Sequence, residues 1–178
     1  MKFLDKIFKK EIDLQKEFLI SYDDGASPLF KREEDAGYDV YALFEKDETY
    51  KIINPHETVI FRTGVKTSFP SDYYIKLEER SSTGTIGLSQ RAGVIDSGYR
   101  GEWMIPITNT NNIPVIVSRL PKEKIDYDGE FIFYSYHRAL AQAVIHKAEH
   151  KRFIEVNDKT IKSIPSERGI GKLGSSGK

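Results

Sequence analysis

The bend Glu79-Arg80-Ser81-Ser82-Thr83-Gly84 sets a guanidinium, three hydroxyls and a glycine side by side. Phosphate oxygens are held by that set of donors: a planar fork, hydroxyl groups and backbone N–H groups. A Ser/Thr turn capped by its own side chains has the same composition, so the bend alone does not decide. In Ala92-Gly93-Val94-Ile95-Asp96-Ser97-Gly98-Tyr99-Arg100-Gly101-Glu102, an acid follows an apolar strand and an aromatic comes three residues later on a glycine-rich turn. Such a hairpin presents one carboxylate, Asp96, and one ring, Tyr99, to the same space. A turn acid beside a packing tyrosine is the plainer alternative. In Glu34-Asp35-Ala36-Gly37-Tyr38-Asp39-Val40, small residues and carboxylates lead into a strand, which by itself reads as a turn with solvated acids.

Three further features carry less. Gln142 interrupts the apolar run 139–145. A buried amide there must be hydrogen-bonded, to backbone or to a ligand. The tail Arg168-Gly169-Ile170-Gly171-Lys172-Leu173-Gly174-Ser175-Ser176-Gly177-Lys178 superficially resembles a phosphate loop, but its Gly-Lys-Ser/Thr spacing is wrong and no helix follows. His146 and His150 stand four apart, the spacing of a helical metal pair, yet they end a strand-like run with no third ligand nearby. Zinc is set aside on that ground.

The elements that must position these residues read as short strands. In 58–69, Val59 and Phe61 alternate with Thr58, Ile60 and Arg62, and Val65, Thr67 and Phe69 continue the period after Gly64. Tyr73, Ile75 and Leu77 alternate likewise, as do Trp103, Ile105 and Ile107. Pro106 in the latter run predicts an edge strand or a bulge. Further strands are expected at 17–22, 38–44, 113–117, 130–136, 140–147 and 152–156, separated by turn formers such as Asn54-Pro55 and Asp128-Gly129. Many short strands at this spacing predict an all-β fold, a jelly-roll-like β-barrel. The domain reading is an N-terminal extension at 1–16, a β-domain at 17–162 with an insertion about 118–136, and a mobile arm at 163–178. Phe3, Leu4, Ile7 and Phe8 repeat at helical spacing and suggest a short amphipathic arm.

Composition bounds the function. A chain of 178 residues supports one domain with a proper core. Its 27 basic and 27 acidic residues balance, which argues against long-range attraction to nucleic acid or an anionic membrane, though not against a local site for a small polyanion. The chain has no cysteine, so thiol nucleophiles and cysteine-ligated zinc are excluded, and a reducing, cytoplasmic setting is expected. No apolar run reaches membrane-spanning length. Asp5, Lys6, Lys9 and Lys10 break the N-terminus, so no signal peptide is expected.

Taken in order, the segments DAGYDV, ERSSTG, AGVIDSGYRGE, ALAQAVI and RGIGKLGSSG resemble the five motifs of the trimeric dUTPase family, the deoxyuridine triphosphate nucleotidohydrolases, over about residues 18–178. The resemblance implies hydrolysis of dUTP to dUMP and pyrophosphate by Mg²⁺-assisted attack of water on the α-phosphate. That activity limits uracil in DNA and supplies dUMP. It also implies a homotrimer that shares its sites between subunits. Asp39 would lie near the Mg²⁺–triphosphate and hold the metal's waters, the metal being otherwise held by the phosphates. Arg80, Ser81 and Ser82 would bind phosphate, with Gln142 in support. Asp96 would orient and deprotonate the water and contact the deoxyribose. Gln90, Gly93, Val94 and Ile95 would belong to the nucleoside hairpin, and Tyr99 would pack under the sugar and exclude a 2′-hydroxyl. Arg168, Leu173, Gly174, Ser175 and Ser176 would close over the nucleotide.

The chain departs from the family at three places. Leu173 stands for the arm's aromatic, with Lys172 replacing a glycine before it; Gln90 stands for an asparagine; and His137-Arg138-Ala139 replaces Gly-Asp-Arg. Two other readings compete. A dCTP deaminase shares the fold and an Arg-Ser-Ser motif, but it needs a glutamate on the strand that here reads Trp103-Met104-Ile105-Pro106-Ile107-Thr108-Asn109. A nucleotide-sensing module on a dUTPase frame would bind a protein partner through the 118–136 insertion.

Overall fold

A computed structural model describes residues 13–167 and 169–170. In chain order the strands are β1 (Leu19–Tyr22), β2 (Gly37–Val40), β3 (Tyr50–Ile53), β4 (Thr58–Arg62), β5 (Val65–Ser68) and β6 (Tyr73–Glu78). After the one-turn helix α1 (Ser81–Gly84) come β7 (Leu88–Gln90), β8 (Val94–Ile95), β9 (Met104–Asn109), β10 (Val115–Ser118), β11 (Ile132–Ser135) and β12 (Ala141–Lys147). They form four small sheets, ordered β1-β5, β11-β10-β3, β2-β12-β6-β8 and β4-β9-β7. Every pairing is antiparallel except β10 with β11. The expected jelly-roll-like all-β fold is what the chain adopts.

The alternation along the strands decides which side chains go inside. Phe61 on β4, Ile75 and Leu77 on β6, and Ile105 and Ile107 on β9 are buried, while Ile60, Lys76 and Met104 face out. Each fully buried Ile, Leu or Phe adds about 1.5–3 kcal/mol over its exposed state. Trp103 sits in this core, and its Nε1–H donates to Thr67 Oγ1 at 3.1 Å, so burial leaves no unpaired indole donor.

Pro106 departs from expectation. It lies in β9, the middle strand of its sheet, opposite Ile60 of β4. The geometry accommodates it because its carbonyl takes the Arg91 N–H at 3.0 Å and β7 ends one residue earlier, at Gln90. The ladder stops where proline has no N–H to return. The β4–β5 turn needs Gly64, whose φ is +69° and whose Cβ position would lie 2.6 Å from Ala26 Cβ. Glu102 Oε1 accepts the Thr63 and Gly64 N–H groups at 3.1 and 2.7 Å and fixes that turn.

Part of the 118–136 segment is core. Lys122–Lys124 forms a short 3-10 turn, and β11 returns alongside β10 with Tyr134 fully buried. The chain divides into two units between Ala148 and Glu149. The first holds all the strands. The second holds α2 (Asp158–Ser163), capped by Asn157 Oδ1 accepting the Thr160 N–H at 2.9 Å. The strand expected at 152–156 does not form: these residues have no ladder partner, and Phe153 is 99% exposed. Among the described residues, no helix is long and apolar enough to cross a membrane. The amphipathic repeat at 3–8 lies outside the described residues.

Candidate functional site

β2, β12 and the end of β6 bring the acid, the amide and the phosphate-type bend together. Gln142 of β12 is in register with Asp39 of β2 on one side and with Glu78 of β6 on the other. Two residues beyond β6 the chain enters α1, and Arg80, its N-cap, comes to lie beside Asp39. The guanidinium meets the carboxylate in a two-point contact, Nε to Oδ1 at 2.9 Å and Nη2 to Oδ2 at 3.2 Å. Nη1 donates to Ser82 Oγ at 3.1 Å and to the Ala139 carbonyl at 3.2 Å. Gln142 Nε2 donates to the Glu79 carbonyl at 2.9 Å, so the partner left open by the sequence is backbone.

Asp39, Arg80, Ser81, Ser82 and Gln142 line one recess of about 450 Å³, together with Phe30, Arg32, Asp35, Ala36 and Gly37. Its rim loop is pinned by Lys31 Nζ, which donates to three carbonyls including that of Asp35 at 3.0 Å. Arg32 N–H donates to Asp35 Oδ2 at 2.9 Å. The lining carries two arginines, Arg32 and Arg80, and two aspartates, Asp35 and Asp39, so its formal charges balance. The phenols behind it stay protonated. Burial, followed by the nearby Asp39 charge, pushes Tyr41 up from its ordinary value, and burial pushes Tyr134 up against the smaller opposing pull of Ser82, Arg138 and Arg80.

The hairpin residues gather elsewhere on the same chain. Gly93, Val94, Ile95, Asp96 and Tyr99 line a recess of about 240 Å³ with Ala92, Glu102, Met104 and Pro106. Asp96 begins a turn closed by the Tyr99 N–H donating to its carbonyl at 3.0 Å, and its carboxylate faces solvent. Tyr99 Oη donates to the Glu102 carbonyl at 3.0 Å, which lays the ring across Gly101. Gln90, Gly93 and Val94 also line a neighbouring recess of about 330 Å³ against Leu77, Glu78 and Glu79. Gly93 has to be glycine: its Cβ position would lie 2.7 Å from the Leu77 carbonyl, which accepts no side chain there, while its own carbonyl takes the Leu77 N–H at 2.7 Å. Gln90 turns its own Nε2 onto the Ala92 carbonyl.

The candidate residues thus fall into two groups, and no residue lines both the Asp39–Arg80 recess and the Asp96–Tyr99 recess. Arg168, Leu173, Gly174, Ser175 and Ser176 lie outside the described residues. Two side chains escaped the sequence reading. Tyr134 Oη donates to the Ala139 carbonyl at 2.6 Å, the same acceptor that Arg80 uses. Glu79 Oε1 accepts from Ser89 Oγ at 2.8 Å and from the Gln90 N–H at 3.0 Å. The continuous run Phe131-Ile132-Phe133-Tyr134 has no alternation that singles out Tyr134, and nothing local marks Glu79's reach to Ser89. His146 stacks on Tyr74, with ring centroids 5.0 Å apart.

A family model described as dUTPase matches residues 23–121. A deoxyuridine 5'-triphosphate nucleotidohydrolase of Gloeobacter violaceus is 31% identical over 155 residues, covering 85% of this chain and 89% of that protein. Its counterpart from Fusobacterium nucleatum is 29% identical over 154 residues, covering 85% and 89%. Among solved structures, Staphylococcus bacteriophage 80alpha dUTPase with dUPNHPP superposes with a TM-score of 0.70 at 24% identity, covering 91% of this chain and 99% of that one.

Proposed function

Because the chain belongs to the dUTPase family, we propose that it hydrolyses dUTP to dUMP and pyrophosphate, with Asp96 as the base that activates water at the α-phosphate. The observation that carries this reading is the recess in which Asp96 and Tyr99 stand together beside Gly93 and Val94. A solvent-facing carboxylate at the mouth of a ring-lined recess can orient a water and take its proton. Tyr99, tethered through its hydroxyl, offers its ring face to the sugar and leaves no room for a 2′-hydroxyl. Gln90, Gly93, Val94 and Ile95 supply the walls and polar groups for the base.

The triphosphate belongs in the Asp39–Arg80 recess, with Ser81 and Ser82 as hydroxyl donors and Gln142 holding the bend from behind. Phosphoryl chemistry asks for positioning and charge neutralisation rather than covalent help. Since the recess is internally balanced, a polyanion entering it needs a counter-ion. The donor set fits Mg²⁺ held by the phosphates: no group of three or more potential metal ligands exists among the described residues, and the Asp39 oxygens keep acceptor capacity beyond their two contacts with Arg80. Asp39 is then placed to accept hydrogen bonds from the ion's waters. When bound, the ion neutralises phosphate charge.

The two recesses complete one site when chains associate, so the active form is a homotrimer. Arg168, Leu173, Gly174, Ser175 and Ser176 serve as the closing arm. The test is incubation with dUTP, dCTP and UTP, assaying pyrophosphate and ammonia separately. We expect pyrophosphate from dUTP alone. Asp96→Asn should lower turnover by at least about a hundredfold with dUTP binding kept. Ammonia from dCTP, or near-normal turnover by the variant, overturns the assignment.

A further inference from the structure

We propose that Glu79 is a positioning residue that holds the base-contacting strand against the phosphate-binding bend. The inference rests on the nucleotide assignment above for its functional meaning, and on three hydrogen bonds for its geometry. Glu79 leaves β6 and directly precedes Arg80. Its carbonyl accepts Gln142 Nε2 at 2.9 Å, which ties it to β12. Its carboxylate crosses to another sheet, where Oε1 accepts both Ser89 Oγ at 2.8 Å and the Gln90 N–H at 3.0 Å. Oε2 lies beside Gly84, whose Cβ position would come 3.3 Å from it, so the end of α1 leaves room for the carboxylate.

The Gln90 contact matters because β7 is an outer strand of its sheet. Arg91 N–H points inward to the Pro106 carbonyl of β9, so the preceding N–H, that of Gln90, points outward. An outward amide on an edge strand is satisfied by water or by a neighbouring acceptor. Here the acceptor is a charged oxygen fixed one residue from Arg80, and hydrogen bonds to an ionised acceptor are the shorter and stronger kind. Gln90, Gly93 and Val94 line their recess against this same Glu79. The carboxylate therefore fixes Gln90 relative to the Arg80 bend of its own chain; in the shared-site arrangement it couples the base wall of one site to the phosphate-binding bend of the neighbouring site. Glu79 touches no reacting atom in this assignment; it acts through Gln90.

The test uses the full chain and three variants, Glu79→Ala, Glu79→Gln and Ser89→Ala. Glutamine keeps an Oε1 acceptor for both donors, and Ser89→Ala removes one of the two donors. For Glu79→Ala we expect the KM for dUTP to rise roughly tenfold, with kcat little changed and the preference for dUTP over dCTP narrowed, a loss of the size expected for a charge-assisted contact. Glu79→Gln should recover most of both, and Ser89→Ala should fall between. Amide hydrogen exchange at Gln90, measured without nucleotide, should quicken in Glu79→Ala and return toward normal in Glu79→Gln. A folded Glu79→Ala whose Gln90 exchange is unchanged overturns the proposal whatever the enzyme's substrate. So do equal losses of kcat in the Ala and Gln variants, which would make the residue merely structural. Absence of dUTP turnover in the unaltered chain counts against the assigned activity instead. Should the Ala variant not fold, intermediate exchange in Ser89→Ala supports the proposal and unchanged exchange there overturns it.

Discussion

The carbonyl of Ala139 accepts from two donors, Tyr134 Oη at 2.6 Å and Arg80 Nη1 at 3.2 Å. Tyr134 thus stands behind Arg80, the proposed phosphate contact, and its proton state has a stability consequence. Burial raises its pKa above the ordinary 10.0. In the unfolded chain the phenol ionises near that value, while the folded protein resists ionisation. The contribution is therefore whole below about pH 10 and is lost as pH rises through the folded value. Tyr134→Phe should cost about 1 kcal/mol at neutral pH, the usual net worth of one hydrogen bond, and should lose less stability than the parent between pH 9 and 11. Urea midpoints at a series of pH values decide it; identical pH slopes would remove Tyr134 from the account. At this scale the sequence was legible where partners are local. Asp96 and Tyr99 share a turn, so their spacing placed them in one recess. Asp39 and Arg80 stand 41 residues apart, and only the β2–β12–β6 register brings their side chains into contact.

Elements were legible wherever a period of two ran long enough. Thr58–Arg62, Val65–Ser68 and Tyr73–Glu78 alternate, and they form β4, β5 and β6. Tyr50–Ile53 forms β3 although Lys51, Ile52 and Ile53 do not alternate, because pairing with β10 rather than its own pattern places it. Residues 152–156 have the apolar pattern of a strand and no partner, and remain irregular. A strand is a property of two segments, so a single-segment pattern misjudges both cases. Turns show the complementary effect, in which one residue decides an element. Gly64→Ala would force a side chain into positive φ and against Ala26 Cβ and Leu43 Cδ2, at 2.6 and 2.9 Å. It should destabilise by about 1–3 kcal/mol. Gly98→Ala, whose Cβ position has nothing within 4 Å, is the control and should change little. Denaturant midpoints of the two variants make the comparison; equal effects would mean the β4–β5 turn tolerates adjustment.

At the scale of the whole molecule, the two groups of site residues and an exposed apolar face point the same way. Ile60 is 59% exposed and Val94 60%, and both border Met104 and Pro106 through the β4–β9 register and the Asp96–Tyr99 recess. In the proposed trimer a neighbouring chain would cover such side chains. With a symmetric trimer, each site takes the Asp96–Tyr99 hairpin from one subunit and the Asp39–Arg80 recess from another. Light scattering should then give about three times the 20.4 kDa chain mass. Ile60→Asp, altering a side chain that folding leaves outside, should yield monomers and abolish turnover in the same step. Complementation gives the sharper measurement. Asp96→Asn removes the proposed base and Arg80→Ala the proposed phosphate contact, so each homotrimer should be nearly inactive. Unfolding the two together in equal amounts and refolding them creates mixed trimers, in which some sites draw Asp96 from one variant and Arg80 from the other. Random assembly makes about one site in four intact, so activity should return to roughly a quarter of the parent's. Recovery near that level requires the two recesses to meet across a subunit boundary. If refolded mixtures stay as inactive as the separate variants while native mass spectrometry shows mixed trimers, both recesses must serve one site within a single chain, and the shared-site arrangement fails.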